Sequence, residues 1–245
     1  MEVQFDGDSW AWKALQDFVA FKDMYEYVIN QSAMDSHKDS MSYFVIDPDL
    51  HKPGSDTELR DKAEASIKSS LNHFAAQTVV SLCTTFEVAI RQFFKCLFIM
   101  HPNYMHNYIG SRDNRGTVPL ADLVDSGDYS KFISELAERA SAAASKGKYN
   151  ESLKRASKLS KYEIDTEIFE NIKELQVTRN KIVHEKNLPN LELEDIQNSH
   201  SIVSSTIEEL CHMGIKKQLP GRYTYVDPEI TMELKSVALV KPDNA

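Results

Sequence analysis

The sequence predicts an all-α protein: a bundle of four to five principal helices with an N-terminal helical extension and a short C-terminal β-like tail. Two observations lead to this prediction. Apolar residues recur at spacings of three and four along several long stretches, which is the period of a helix face. The 245 residues, with 42% hydrophobic and 27% charged side chains, are enough to bury one good core. We therefore expect an N-terminal helix and linker at 1–56, the bundle at 57–215 and an extended tail at 216–245.

The first part of the chain predicts one helix followed by a long connection. The helix is expected from Ser9 to Asn30, where apolar residues recur at helical spacing after a plausible cap. The composition becomes polar from Gln31 to Asp56, with two prolines and a glycine. This stretch predicts a connection that holds at most a short strand, at Tyr43 to Ile46.

The longest helix is predicted from Asp56 or Thr57 to about Met100, where it ends before a His-Pro pair. Its second half carries an apolar stripe that alternates spacings of four and three: Val79, Cys83, Phe86, Ile90, Phe93, Leu97 and Met100. Such a stripe is typical of a central bundle helix. Glu87 lies on the neighbouring apolar row, where an unpaired carboxylate is costly, so we expect it to pair with Arg91 or with Arg179.

Irregular structure is predicted from Asn103 to Asp128, where glycine and proline are frequent. His101 and His106 lie near two tyrosines, but two imidazoles without a carboxylate or thiol at helical spacing are too few for a metal site. We predict no metal and no cofactor. An alanine-rich helix from Asp128 to Ser145 and a weaker basic helical piece from Lys148 to Tyr162 are expected next.

The chain after residue 190 predicts one more long helix and a tail. The helix is expected to begin at Glu192 or Asp195 and to end at Gly214. From Tyr223 to Val240 the apolar pattern changes to a period of two, which is typical of a strand. The tail is therefore expected to form a hairpin or to add an edge to a neighbour.

A helix predicted from Asp165 to Lys186 contains the chemically most informative residues. Its apolar stripe consists of Ile164, Ile168, Ile172, Leu175 and Ile182. Arg179 falls within the stripe, whereas Asn180 and His184 stack one turn apart on an adjoining face. Arg179 and His184 diverge by about 140° around the helix. Another helix, or a second copy of the chain, therefore has to supply the second wall of any site they share.

The pattern Arg-Asn-x-x-x-His at 179–184 resembles the motif of the HEPN superfamily (higher eukaryotes and prokaryotes nucleotide-binding). The resemblance covers mainly the helical region from about Thr57 to Ile215. It is sharpened by the position of the motif, late in the penultimate long helix, and by the Ile-Val pair that precedes the histidine. It implies a metal-independent endoribonuclease whose motif helices meet at the cleft of a homodimer. Catalytic roles are then expected for Arg179, Asn180 and His184, with support from Glu87.

The residue types fit this chemistry. Cleavage without a metal requires a base and an acid near neutral pH, and histidine suits both. An arginine fork matches the charge that develops on phosphoryl oxygens. Asn180 could orient the imidazole or hold a phosphate oxygen. The structural alternative is that Arg179 pairs with a buried carboxylate and that His184 caps the end of its helix.

The net charge of -9 conflicts with RNA binding unless positive charge is concentrated locally. One segment has that property, because it contains only one acidic residue, Glu151, and six basic residues: Lys146, Lys148, Lys154, Arg155, Lys158 and Lys161. We predict RNA binding by Lys154, Arg155, Lys158 and Lys161. A solvated helix face is the alternative interpretation.

The resemblance further implies a toxin or antiviral-defence effector, restrained by an antitoxin or a regulatory protein. Two other functions remain open: a non-catalytic HEPN-like dimerising sensor or nucleotide- or RNA-binding module, and an inhibitor or adaptor whose acidic surface binds basic partners. No signal pattern opens the chain, the most apolar run is short, and the three cysteines lack metal-type spacing. We therefore expect a cytoplasmic protein without a membrane span.

Overall fold

A computed structural model describes residues 4–40, 55–111, 114–185 and 189–224. The α-helices are α1 (Gly7–Ile29), α2 (Gln31–Ser40), α3 (Ser55–Met100), α4 (Leu120–Ser126), α5 (Tyr129–Ser145), α6 (Tyr149–Ser160), α7 (Thr166–His184) and α8 (Leu193–Lys216). The short elements are a 3-10 helix (Pro102–Asn107) and the strands β1 (Phe5–Asp6), β2 (Gly110–Ser111), β3 (Asn114–Arg115) and β4 (Gly221–Arg222). The predicted all-α class is confirmed.

The core forms around the second half of α3, which packs against α1, α5, α7 and α8. The apolar stripe predicted there is buried from Val79 to Leu97, whereas Met100 at its end is exposed. The cysteines Cys83, Cys96 and Cys211 are buried and free. Within the described ranges, no helix combines the length and the apolar character that crossing a bilayer requires.

The N-terminal helix shares this core. Ala14 and Phe21 of α1 are fully buried where the helix packs against α3 and α8. Just before α1, β1 pairs in parallel with β4, so that Phe5 lies opposite Gly221. A Cβ atom on Gly221 would lie 2.1 Å from the Phe5 carbonyl oxygen, so only glycine permits this approach.

Three predicted boundaries are wrong. The connection predicted from Gln31 contains α2, which begins where the Asn30 side chain accepts a hydrogen bond from the Ala33 N–H at 3.0 Å. The stretch predicted to be irregular contains the 3-10 helix and α4. Helix α8 continues past Gly214, whose missing side chain makes room for Tyr223 and does not end the helix. The strand predicted at Tyr43 to Ile46 and most of the predicted tail strand lie outside the described residues.

Helices α6 and α7 form an antiparallel hairpin on one side of α3. The start of α6 meets the second half of α7, because the Tyr149 N–H donates to Gln176 Oε1 at 2.9 Å. Further along, the Lys154 ammonium lies 5.9 Å from the centre of the Phe169 ring. This hairpin positions the residues of the predicted motif.

Candidate active site

Helix α7 forms as the sequence predicts. Asp165 caps it by accepting a hydrogen bond from the Glu167 N–H at 3.0 Å. The helix ends at His184, close to the predicted end. Ile172 and Leu175 are buried, and the other members of the predicted stripe are partly buried against the core. The apolar face of α7 is therefore the one predicted, and it fixes the directions of the motif side chains.

Arg179 is partly buried at the junction of α7 with α3 and α6. Its Nη1 donates to Asn180 Oδ1 at 3.3 Å. Burial raises the pKa of the Cys83 thiol to about 12, with a further increase from Glu87, while the positive charge of Arg179 acts in the opposite direction. The guanidinium thus lies close enough to the buried side of α3 to influence its ionisable groups.

A buried tyrosine links the three helices beneath Arg179. The Tyr149 hydroxyl of α6 donates to Glu87 Oε1 of α3, and the Tyr149 N–H donates to Gln176 of α7. The ring packs edge-on against Phe86, with the centroids 5.1 Å apart. Burial raises the pKa of Tyr149 far above its usual range, so the phenol remains protonated and continues to donate.

The expectation that Glu87 pairs with a cation is wrong. Arg91 contacts Glu138 at 2.6 Å, and in the described part of the chain no ion pair within 4.0 Å joins Glu87 to Arg179. The Tyr149 hydroxyl supplies the donor instead. Its 62-residue separation from Glu87 explains why local spacing did not reveal it. The alternative in which Arg179 neutralises a buried carboxylate likewise finds no support among these residues.

Asn180 and His184 are exposed at the end of α7. The backbone N–H of Glu185 closes the helix end by donating to the Lys181 carbonyl at 2.9 Å. His184 is thus the last helical residue, where a positive charge is also favourable. Beside these polar groups, Val177 and Val183 are 49% and 47% exposed. The exposed end of α7 therefore presents polar and apolar groups together.

A groove opens next to Asn180, between the start of α6 and the second half of α7. Its volume is about 460 Å³. The lining residues are Lys148, Asn150, Glu151, Lys173, Gln176, Val177 and Asn180. The sequence analysis assigned no role to Lys173, although its spacing of seven from Asn180 places both on one helix face.

The four predicted RNA-binding residues separate into two groups. Lys154, Lys158 and Lys161 are exposed; the spacing of four places Lys154 and Lys158 on one face of α6, and Lys161 follows the helix in a left-handed backbone conformation. Arg155 differs because its Nε and Nη2 atoms donate, both at 2.7 Å, to the carbonyl oxygens of Ala144 and Lys146. The Arg155 guanidinium thus caps the C-terminal end of α5, and the Nε and Nη2 donors are used by backbone carbonyl groups.

Comparisons of the chain with protein-family models, with curated proteins and with solved structures find no match. The likeness to HEPN proteins therefore depends on the 179–184 motif and on its place in the helical fold.

Proposed function

We propose that the protein is a metal-independent endoribonuclease of HEPN type, which cleaves RNA by 2′-hydroxyl attack at a cleft between two copies of the chain. The observation that supports this most directly is the geometry at the end of α7. Arg179 is partly buried over a hydrogen-bonded cluster, while Asn180 and His184 face solvent next to it.

Each motif residue has a role in this reaction. The 2′-hydroxyl loses its proton to a base and bonds to the adjacent phosphorus, the bond to the 5′-oxygen breaks, and that oxygen takes a proton from an acid. His184 performs acid–base transfer, because it is exposed and histidine is the residue type suited to act as both base and acid near neutral pH. Arg179 stabilises the charge on the phosphoryl oxygens. Asn180, in contact with Arg179, orients a phosphate oxygen or the imidazole.

The helix geometry favours a second copy of the chain. Arg179 and His184 of one copy are separated by about 140° around α7 and by about 7.5 Å along it. A symmetry-related α7 would bring the imidazole of one copy towards the arginine of the other. The exposed Val183, next to His184, would provide apolar surface for that contact.

The biological role proposed from the HEPN resemblance is that of a cytoplasmic toxin or antiviral-defence effector. An antitoxin or another regulatory protein would restrain it. This role depends on analogy with the family and not on a particular residue.

The proposal can be tested with purified protein and mixed RNA in excess EDTA. We expect products that end in cyclic phosphates, and we expect the His184→Ala variant to produce none. His73→Ala is a matched control, because His73 is an exposed histidine on α3 outside the candidate site. Equal cleavage by the His184→Ala variant and the parent would show that the catalytic assignment is wrong.

The second candidate is a non-catalytic HEPN-like sensor or RNA-binding module. The groove and the basic face of α6 favour it, because both could bind nucleic acid without any reaction. Intact RNA in the EDTA assay, together with retained RNA binding, would favour this candidate over the nuclease.

A further inference from the structure

We propose that the groove between the start of α6 and the second half of α7 binds a single-stranded RNA segment next to the cleaved bond, with Lys148 and Lys173 contacting its phosphates. This inference depends on the proposed function for the identity of the ligand. It adds the path along which the RNA reaches the motif.

The position of the groove provides the first argument. Asn180 lines one end of the groove and contacts Arg179 at 3.3 Å. A chain that occupies the groove would therefore continue directly to the residues assigned to the scissile phosphate. Cleavage requires such contacts with neighbouring nucleotides, because they hold the reacting phosphate in place.

The charges provide the second argument. Lys148 lies on the α6 side of the groove and forms no ion pair in the part of the chain that the structure describes. Lys173 lies on the α7 side and contacts Glu170 at 2.5 Å, but both side chains are about half exposed. Such surface pairs contribute little free energy, so a phosphate can replace the carboxylate. The acid in the lining, Glu151, contacts Lys154 at 3.3 Å.

The shape favours a single strand over a duplex. The volume of about 460 Å³ lies between two helices, within the range of sites for small ligands. Val177, which is 49% exposed, offers an apolar surface for a base at the same place. Proteins that bind single strands commonly combine a positive groove with surfaces on which bases lie.

The positive surface continues beyond the groove. Lys154 and Lys158 follow along one face of α6, and Lys161 lies just past its end. At its far end, the Lys216 ammonium of α8 donates to the Lys161 carbonyl at 2.5 Å. In a chain of net charge -9, this group of lysines is where a polyanion would be bound. Lys148 and Lys173 thus lie at the motif end of a longer basic path.

The test measures RNA binding separately from cleavage. The full-length His184→Ala protein is titrated with a labelled single-stranded RNA of roughly ten nucleotides at several salt concentrations. We expect the Lys148→Ala/Lys173→Ala pair to weaken binding about tenfold or more at low salt. The slope of log K against log salt should become shallower by about 1.4, since each phosphate contact on a single strand contributes about 0.7.

The matched control is Lys22→Ala/Lys131→Ala, which removes two exposed lysines of α1 and α5, each beside a carboxylate as Lys173 is. The control pair should keep the affinity and the slope of the parent. Equal binding by the groove variant and the control pair would overturn the proposal. Binding of the matching RNA duplex as tight as that of the single strand would also overturn it.

The outcomes distinguish this proposal from the nuclease. If the parent cleaves RNA while the groove variant retains the salt slope, the groove assignment fails and the nuclease stands. If the parent cleaves nothing while the groove variant loses the slope, the RNA-binding groove stands and the catalytic function fails. A charge reversal, Lys148→Glu, should weaken binding more than Lys148→Ala. Helix α6 does not depend on this side chain for its cap, so the reversal should leave the fold intact.

Discussion

The two ends of the α6–α7 hairpin differ in the hydrogen bonding of a partly buried carboxylate. At the motif end, Glu87 of α3 accepts a hydrogen bond from the Tyr149 hydroxyl. At the opposite end, beside the turn between the two helices, the Glu209 carboxylate of α8 interacts with the Tyr162 side chain, but its buried Oε2 has no hydrogen-bond partner among the described residues. The nearby Tyr162 and His212 stack on each other, with ring centroids 6.1 Å apart.

The difference indicates that the motif end is the more rigid of the two. A satisfied polar cluster in a low-dielectric setting rigidifies the elements that it joins. The cluster under Arg179 joins α3, α6 and α7, whereas burial at the other end raises the pKa of Glu209 and disfavours its charged form. The motif end should therefore respond to substitution by losing function and stability, and the opposite end should tolerate or benefit from it.

The largest effect is expected for His184→Ala. Loss of a general acid or base typically lowers a rate by about 10²–10⁴-fold. Because His184 is exposed at the end of α7, the free energy of unfolding should hardly change. Single-turnover cleavage and urea denaturation would measure the two quantities. A loss of stability as large as the loss of activity would indicate the helix-capping role instead.

Arg179→Ala should lower cleavage by at least ~10²-fold, because it removes a group that stabilises transition-state charge. Arg179→Lys should restore only a small part of the rate, since an ammonium cannot form the bidentate contact. Lys181→Ala, in the same helix turn but exposed, is the control. An alanine variant that cleaves as fast as the parent would refute the role given to Arg179.

Tyr149→Phe should reduce the free energy of unfolding by about 1–3 kcal/mol, since it leaves the partly buried Glu87 without its donor. Denaturation in urea measures this effect. Tyr129→Phe is the control, because Tyr129 is 67% exposed. Unchanged stability of the Tyr149 variant would show that the cluster does not hold the motif end together.

Glu209→Gln should have the smallest effect and the opposite sign. The folded protein raises the pKa of Glu209, so this group adds stability below the unfolded pKa of about 4.3 and loses that contribution as pH rises through the folded pKa. Near pH 7 the neutral amide should therefore stabilise the protein, by less than about 1 kcal/mol because water partly screens the site. The gain should disappear at acidic pH.

The same substitution at the motif end, Glu87→Gln, completes the comparison. It weakens a charge-assisted hydrogen bond and should lower the free energy of unfolding near pH 7. Thermal melts of both variants at pH 4 and pH 7 would measure the contrast. Stabilisation by both substitutions, or by neither, would show that the two ends do not differ as inferred.

The helices were predictable to the extent that local patterns specify them. The α3 stripe from Val79 to Leu97 and the stripe of α7 follow from spacing and residue type alone. Helix α2 was missed because polar composition obscured the cap that Asn30 provides.

The sequence alone determined the helical class, the buried face of α7 and the separation of Arg179 from His184, because helix periodicity fixes these within one segment. Only the tertiary structure decided that Tyr149 is the donor to Glu87, that Arg155 closes α5 and that Lys148 faces Lys173 across a groove. Those pairings join different helices, and their geometry depends on how whole helices pack together. No local spacing in the chain encodes that packing.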